Sequence, residues 1–443
     1  MKHLWLNFTK EDVRTETLQC EQEGRDISSL KSLVESILSV EETNEQSQEK
    51  VQSFFLSVSS IPIPKIKDEQ EPNDFESLIQ YKEIFTNNNT IQHIEDKIYG
   101  AWVGRCCGCL LGKPVEGWKR FQIESFLKET SQFPLSFYFS RGCNHEVQER
   151  YQLHEGSCFI EEVHSMPEDD DLNYTVVGLG IYEKWGSNFT SENVADYWLE
   201  NLPILSTCTA ERIAYKNFIN GIYPPQSASY NNPYREWIGA QIRADFWGYI
   251  NPGDPLKAAE FAWRDARVSH VKNGIYGEVW VSAMIALAFI LDDAEKIISE
   301  SLKFIPSTSR LYSAIQTQLR NRRELSNAQL AIEDVHERWN ENNPHDWCHT
   351  ISNAEVVAMA LLWGENDFEK TITLATTSAF DTDCNSATCG SIIGAMIGEK
   401  SIPTKWKNPL NDTLESGVRG YNKVKISELA DRTLQHLKNK ADS

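Results

Sequence analysis

The sequence has no long apolar run. No stretch of about 18 consecutive apolar residues, the length of a membrane-spanning helix, occurs in its 443 positions. The most apolar segment, residues 279–291, fits a buried helix. The opening residues, 1–5, lead into charged positions without the apolar core of a signal peptide. These absences argue against membrane association and predict a cytoplasmic protein.

Cysteine pairs and an excess of basic residues are also missing. The ten cysteines show no paired CxxC spacing of the zinc-binding type, so we expect free, reduced and mostly buried thiols. Lys and Arg number 43 against 64 Asp and Glu, a net charge of −21. This balance argues against nucleic acid as a partner, because nucleic-acid binders carry a basic surface. Hydrophobic residues still make up 40% of the chain, enough for a sizeable core.

Composition changes near residue 90. The first 60 residues are polar, and within them apolar residues recur at helical spacing: Ile27, Leu30, Leu33, Val34, Ile37 and Leu38. The proline-containing segment 61–64 and the charged run 65–74 predict a linker. We therefore predict an N-terminal helical extension and linker in residues 1–90, and one large domain in residues 91–443. The amphipathic helix needs a surface to pack on. Docking on the large domain and binding to a protein partner are both open.

From about residue 95 onward the apolar periodicity is mainly helical. The predicted helices cover residues 94–111, 171–184, 190–202, 208–218, 255–267, 277–292, 294–304, 309–319, 326–338, 351–363, 366–379 and 385–397. Strand signals are few, and residues 133–140 carry the best of them. The pattern predicts an all-α domain with a small β element.

Two of the predicted helices carry glycines four residues apart. The stripes are Gly100, Gly104, Gly108 and Gly112 in one helix, and Gly390, Gly394 and Gly398 in the other. Glycine costs a helix about 1 kcal/mol relative to alanine, so a repeated glycine needs a structural reason. Residues four apart share a face, and a face without side chains lets another backbone approach closely. We predict two central, tightly packed helices.

Two aspartate clusters adjoin these helices. Residues 168–171 read Glu-Asp-Asp-Asp before an apolar helix, and residues 381–383 read Asp-Thr-Asp before the second glycine helix. An exposed loop or a helix cap would account for one or two of these acids, but not for all of them. Carboxylates are the ligands that hard divalent cations prefer, and two clusters could hold two ions ~3.5–4 Å apart. Glu116, in the Gly-Lys-Pro-Val-Glu-Gly turn that ends the first glycine helix, would alone be an ordinary turn residue.

Together these segments resemble the ADP-ribosylglycohydrolase family. The matching pieces occur in the family's order over roughly residues 95–400, and they lie at 98–116, 167–175, 273–277 and 381–394. The resemblance implies an all-α fold, a compact orthogonal helical bundle with a central two-metal site holding Mg²⁺ or Mn²⁺. Residues 1–90 fall outside it and form the small N-terminal helical extension.

The resemblance also implies which residues form the site. The implied metal ligands are Glu168, Asp169, Asp170, Asp381, Asp383 and Cys384, with Glu116 and Asp170 as catalytic candidates. Glu168 and Cys384 stand where the family has threonines, and a thiol is a poor ligand for a hard cation. A ligand set shifted by one residue, using Asp170 and Asp171, is also open. The segment 269–277 resembles the lining of the ADP-ribose pocket, with the substrate contacts His270, Asn273, Gly274, Tyr276 and Gly277; a packed pair is the alternative for His270 and Tyr276.

The activity implied is metal-dependent hydrolysis of the glycosidic bond at ribose C1″ of an ADP-ribosylated protein, with arginine favoured as the linkage. Such cleavage passes through an oxocarbenium-like state, in which a metal positions the ribose and a carboxylate acts as base. Two other functions are open: hydrolysis of small ADP-ribose conjugates or nucleosides, and binding of ADP-ribose by a catalytically weak relative.

Overall fold

The computed structural model describes residues 7–40, 45–79, 91–154, 156 and 158–441. The boundary expected near residue 90 lies beside residues outside this set. Within the described residues the secondary structure is almost entirely α-helical, and the helices are α1 (Lys10–Glu23), α2 (Lys31–Leu38), α3 (Glu45–Ser59), α4 (Lys65–Gln70), α5 (Phe75–Leu78), α6 (Ile94–Gly112), α7 (Arg120–Glu129), α8 (His145–Arg150), α9 (Asp170–Trp185), α10 (Ser191–Asn201), α11 (Thr209–Ile219), α12 (Gln226–Ser229), α13 (Asp245–Tyr249), α14 (Pro255–Ala266), α15 (Asn273–Ala288), α16 (Ala294–Ser301), α17 (Arg310–Glu324), α18 (Ala328–Arg338), α19 (Pro344–Cys348), α20 (Thr350–Trp363), α21 (Phe368–Thr377), α22 (Thr382–Ile397), α23 (Thr404–Lys407) and α24 (Ile426–Ala441). The prediction of an all-α fold is confirmed.

The two glycine helices, α6 and α22, pack directly against each other at the centre. A Cβ built on Gly104 would overlap the carbonyl oxygen of Gly390, and a Cβ on Gly108 would overlap that of Ser386. At one end Gly112 lies against Thr382, whose hydroxyl donates to the Gly112 carbonyl at 2.9 Å. The predicted close packing is confirmed, and it brings the last turn of α6 against the first turn of α22.

Helices α15 and α20 complete the core around this pair. Every residue of both helices is buried, which explains why their sequences are apolar on all faces. Helices α14 and α21, each with a buried and an exposed face, form part of the outer layer. The core therefore surrounds the α6–α22 contact and holds it rigid.

The N-terminal extension has a small core of its own. Val13 and Cys20 of α1 pack with Ile37 of α2 and with Phe54 and Phe55 of α3. The predicted amphipathic helix is thus present in α2, and it finds its apolar partner within the extension.

Polar contacts join α1 to the large domain. Arg235 is buried and pairs with Glu16 (Nη1–Oε2, 2.6 Å) and Glu23 (Nε–Oε1, 2.8 Å). Beside them Gln19 donates to Glu236 at 2.6 Å. Burial alone would raise the pKa of Glu23, but the Arg235 guanidinium outweighs it and lowers this pKa to about 2. The extension is therefore docked on the large domain through buried charges.

Residues 65–79, here called the strap, run across the large domain where the sequence predicts a linker. The Lys272 ammonium contacts Asp68 (2.9 Å), and Tyr276 donates to the Pro72 carbonyl (2.5 Å). The Arg310 guanidinium binds the Glu71 carboxylate through two parallel bonds of 2.9 and 3.0 Å. Asp68 and Glu71 of the strap are thus paired with cations more than two hundred positions away in the chain.

The strand predicted at residues 133–140 is wrong. Bends interrupt this segment, and the side chain of Gln132 bonds both the Ser140 amide (2.8 Å) and its carbonyl (3.0 Å) in place of a neighbouring strand. In the described part of the chain the only sheet pairs β1 (Thr413–Glu415) with β2 (Lys423–Lys425), antiparallel. None of the described helices has the length and apolar character needed to cross a membrane.

Candidate active site

The acidic residues converge where α6 ends and where α9 and α22 begin. Asp169 caps α9 by accepting the Asp171 amide at 2.9 Å, which fixes the acids at the start of that helix. Asp381 precedes α22, and Asp383 lies in its first turn. The glycine contact between α6 and α22 holds both clusters against the same helix end.

Two groups of ligand atoms result, and both contain Asp383. In the first, one atom each from Cys109, Asp169, Asp171 and Asp383 lie within 4.8 Å of one another. In the second, Asp381, Asp383 and Cys384 meet the same limit. All of these residues are buried. A carboxylate shared between two neighbouring groups suits a pair of cations bridged by one ligand.

Two cations, Arg105 in α6 and Lys113 directly after its end, neutralise part of this charge. Arg105 pairs with Asp171 (3.0 Å) and also with Asp245 (2.7 Å). Lys113 Nζ lies 2.5 Å from Asp169 Oδ2. With Cys109 between them at spacings of four, Arg105 and Lys113 share the helix face that meets the acids. Two of the four carboxylates in the groups, those of Asp381 and Asp383, have no salt bridge to a cation among the described residues, and charge this deeply buried needs neutralisation.

The unpaired carboxylates hold protons more tightly than usual. Burial, then the charges of Asp169 and Asp170, raises the pKa of Glu116 to about 7. Burial, then the charges of Asp169 and Asp383, raises the pKa of Asp170 to about 8. For the same reasons the pKa of Asp381 and of Asp383 lies well above its usual range. A proton or a metal cation would each stabilise these acids, because each supplies positive charge to the site.

The donor set fits a divalent cation. Asp383 is only 3% exposed, and its Oδ1 is buried without a hydrogen-bond donor among the described residues. Behind it Asn353 accepts the Asp381 amide (3.1 Å) and the Asn385 amide (2.8 Å), which orients the start of α22. A buried carboxylate oxygen that no protein group satisfies, held by a fixed backbone, is a suitable metal ligand.

The structure brings four of the six predicted ligands into the two groups and leaves Glu168 and Asp170 outside both. Asp169, Asp381, Asp383 and Cys384 fall within the two groups. Glu168 is exposed, and its Oε1 accepts hydrogen bonds from Asn173 (3.3 Å) and Ser206 (3.2 Å). Asp171, considered only in the shifted set, occupies the first group. Asp170 is half-buried beside it, and Glu116 reaches solvent at the outer edge.

Three residues of the site were not singled out from the sequence. These residues are Arg105, Cys109 and Lys113. They lie in the glycine helix or directly after it, and the glycine spacing there was interpreted as helix packing alone. The sequence did contain a signal for them. Burying two cations on one face of an apolar helix costs free energy unless polar groups of another element lie against that face.

The predicted substrate contacts lie elsewhere, beneath the strap. Tyr276 is bonded to the strap, Asn273 donates to Glu236 at 2.8 Å, and His270 lies 2.8 Å from the Ser269 hydroxyl. Added Cβ atoms on Gly274 and Gly277 would clash with Arg235 and Thr350. All five residues are buried and in contact with protein groups. Contact with a substrate stays a prediction for them.

Comparison with known proteins gives a match to one protein family and a match to a solved structure. The sequence model of the ADP-ribosylglycohydrolase family matches residues 90–442. A solved structure described as an ADP-ribosylglycohydrolase-related protein complex superposes with a TM-score of 0.47 and 18% identity, over 78% of this chain and 99% of that chain. No curated protein matches the chain.

Proposed function

The chain belongs to the ADP-ribosylglycohydrolase family, and on that premise we propose that it is a metal-dependent hydrolase of ADP-ribosylated protein. The family itself implies a hydrolase of ADP-ribosyl groups. The finer proposal is cleavage of the glycosidic bond at ribose C1″, with arginine as the favoured linkage. The observation that carries it is the convergence of Asp169, Asp171, Asp381 and Asp383 into two groups that share Asp383.

The two groups would hold two divalent cations, Mg²⁺ or Mn²⁺. Such ions supply Lewis-acid polarisation of ribose oxygens and a more acidic water. Arg105 and Lys113 limit the repulsion among the acids, and Asn353 keeps the Asp381 backbone in place. The protein would thereby orient the ribose between the start of α9 and the start of α22.

Glu116 is our candidate for the general base. It lies next to the acids, as the effect of Asp169 and Asp170 on its pKa shows, and it reaches solvent, from which a water can approach. A carboxyl with a pKa of about 7 takes a proton more readily than an ordinary glutamate. Asp170 is the second candidate, since its pKa is raised to about 8 and its side chain is half-buried.

The acidic character of the site supports arginine as the linkage. The guanidinium that departs from C1″ is a cation, and carboxylates bind guanidinium groups in a matching planar geometry. Glu116 at the outer edge and Asp170 beside it would stabilise this leaving group. A serine hydroxyl offers no such charge.

The test is release of ADP-ribose from arginine-linked and serine-linked ADP-ribosylated proteins, with Mg²⁺, Mn²⁺ or EDTA. We expect metal-dependent release from the arginine linkage, lost in Asp381→Ala and kept in Asp196→Ala, an exposed acid outside the site. Release from serine alone would overturn the linkage. Release only from small conjugates, or binding of ADP-ribose without release, would replace the proposal by one of the two other functions.

The location and the extension belong to the same proposal. Ten free thiols suit a reducing compartment, and we propose the cytoplasm. The extension is docked by its buried acids, so a protein partner would have to use its outer surface. Removal of residues 1–90 should then lower hydrolysis of a protein substrate and of a small ADP-ribose substrate equally. A selective loss of the protein substrate would assign substrate recognition to the extension.

A further inference from the structure

Each group of acids contains one thiol. Cys109 is fully buried on α6, with its sulfur near Asp169, Asp171 and Asp383. Cys384 is 6% exposed in the first turn of α22, with its sulfur near Asp381 and Asp383. Neither sulfur has a hydrogen-bond partner in the described part of the chain. Both residues also pack in the hydrophobic core, but packing alone does not require a thiol beside several carboxylates.

Other buried cysteines have ordinary packing roles. The Cys107 thiol donates to the Trp406 carbonyl (3.4 Å), and the Cys389 thiol to the Val357 carbonyl (3.8 Å). Both lie on α6 or α22, the same two helices as the thiols at the acids. These helices therefore carry thiols of two kinds, and only Cys109 and Cys384 meet the acids.

We propose that Cys109 and Cys384 bind metal as thiolates, one at each of the two positions that share Asp383. This inference rests on the proposed metal site. Asp383 belongs to both groups, and its Oδ1 is buried without a hydrogen-bond partner among the described residues; this unsatisfied oxygen is the independent sign that a cation completes the site.

Thiolate ligands change which ion the site prefers. Carboxylates alone suit hard ions such as Mg²⁺ and Mn²⁺, whereas sulfur favours softer divalent transition ions such as Co²⁺ and Zn²⁺. Each metal–sulfur bond forms as an S–H bond breaks, and the proton leaves to solvent. The site thus selects a transition ion over Mg²⁺, and binding releases thiol protons.

Cobalt provides the direct test, because a thiolate bound to Co²⁺ gives a charge-transfer band in the near ultraviolet that carboxylates do not give. We expect this band on titration of the full-length protein with Co²⁺. It should weaken in Cys384→Ser and in Cys109→Ser, vanish in the double variant, and persist in Cys107→Ser. Competition should show that wild type prefers Co²⁺ to Mg²⁺ and that this preference falls at least about tenfold in the double variant.

Bound cobalt without the charge-transfer band would overturn thiolate ligation and leave the metal site intact. X-ray absorption spectroscopy of the cobalt-bound wild-type protein tests thiolate ligation without a variant, because it detects sulfur around cobalt directly. Failure of Co²⁺, Mn²⁺ and Mg²⁺ to bind at all would overturn the proposed function together with this inference.

Discussion

Gly104 and Gly390 face each other across the α6–α22 contact, and each occupies the space that a Cβ on the other would need. The obstacle on both sides is a backbone carbonyl, which cannot move aside as a flexible side chain can. Because this contact sets the distance between the end of α6 and the start of α22, it also sets the spacing of the acids.

Gly104→Ala should therefore destabilise the protein. Alanine normally stabilises a helix by about 1 kcal/mol over glycine, but overpacking against rigid backbone costs more, and we expect a net loss of roughly 2 kcal/mol. Chemical denaturation measures it. A variant as stable as wild type would mean that the two helices do not touch at this position.

The buried ion pairs of Arg235 predict a second loss. Arg235→Met leaves Glu16 buried without its cation and Glu23 with Arg25 alone, which should cost about 3–5 kcal/mol. Arg14→Met removes an exposed pair with Glu11, half open to solvent on both sides, and should cost less than about 1 kcal/mol. Chemical denaturation measures the stability of both variants, and limited proteolysis shows whether the extension is released. Equal stability would show that α1 is not docked through Arg235.

Much of this architecture could be predicted from the sequence. The helical spacing of apolar residues predicted the bounds of α6, α9, α20 and α22 to within a few residues. The glycine stripes predicted the central contact between α6 and α22. The two acid clusters were found because their number exceeds what helix capping explains, and Glu116 was found through the family resemblance.

The remaining features depend on contacts between distant residues. The charged residues at 65–74 are typical of a linker when the local sequence is considered alone. The strap is docked because Lys272 and Arg310, far along the chain, bind its acidic side chains. Residues 133–140 have strand-like composition, but an extended segment becomes a strand only if another strand lies beside it. Glu168 was grouped with its acidic neighbours, although the start of α9 turns its side chain towards Asn173 and Ser206.

The raised pKa values predict how stability changes with pH in the metal-free protein. Glu116 and Asp170 have folded pKa values of about 7 and about 8, above those of the unfolded chain. Between about pH 7 and 8, where the histidines of the unfolded chain have lost most of their protons, the native state holds more protons on these carboxyls, so the free energy of unfolding should fall as pH rises through this range. Glu23, with a pKa of about 2, loses its stabilising effect only below this window. Thermal unfolding in EDTA at pH 7.0, 7.5 and 8.0 tests the trend. Stability that rises over the range would contradict it.

If the proposed site binds metal, Lys113 would compete with the cation for Asp169. Its ammonium lies 2.5 Å from Oδ2 and is partly buried, so Lys113→Met frees a ligand atom and removes a positive charge. We expect Mn²⁺ affinity to rise by at least about tenfold, the effect of more than 1 kcal/mol of repulsion. Lys128→Met, at an exposed lysine paired with Glu124, is the control and should leave affinity unchanged. Calorimetric titration measures both. Unchanged or weaker binding in Lys113→Met would show that Lys113 supports the metal-bound state.

The central claim is that the two groups of ligands bind two divalent cations through a shared Asp383. Native mass spectrometry of wild type and Asp383→Asn, each equilibrated with Mn²⁺, tests it most directly. Two ions per wild-type chain, and at most one in a variant that keeps the wild-type circular dichroism spectrum, is the result we predict. Two ions in both proteins, or none in wild type, would contradict the account.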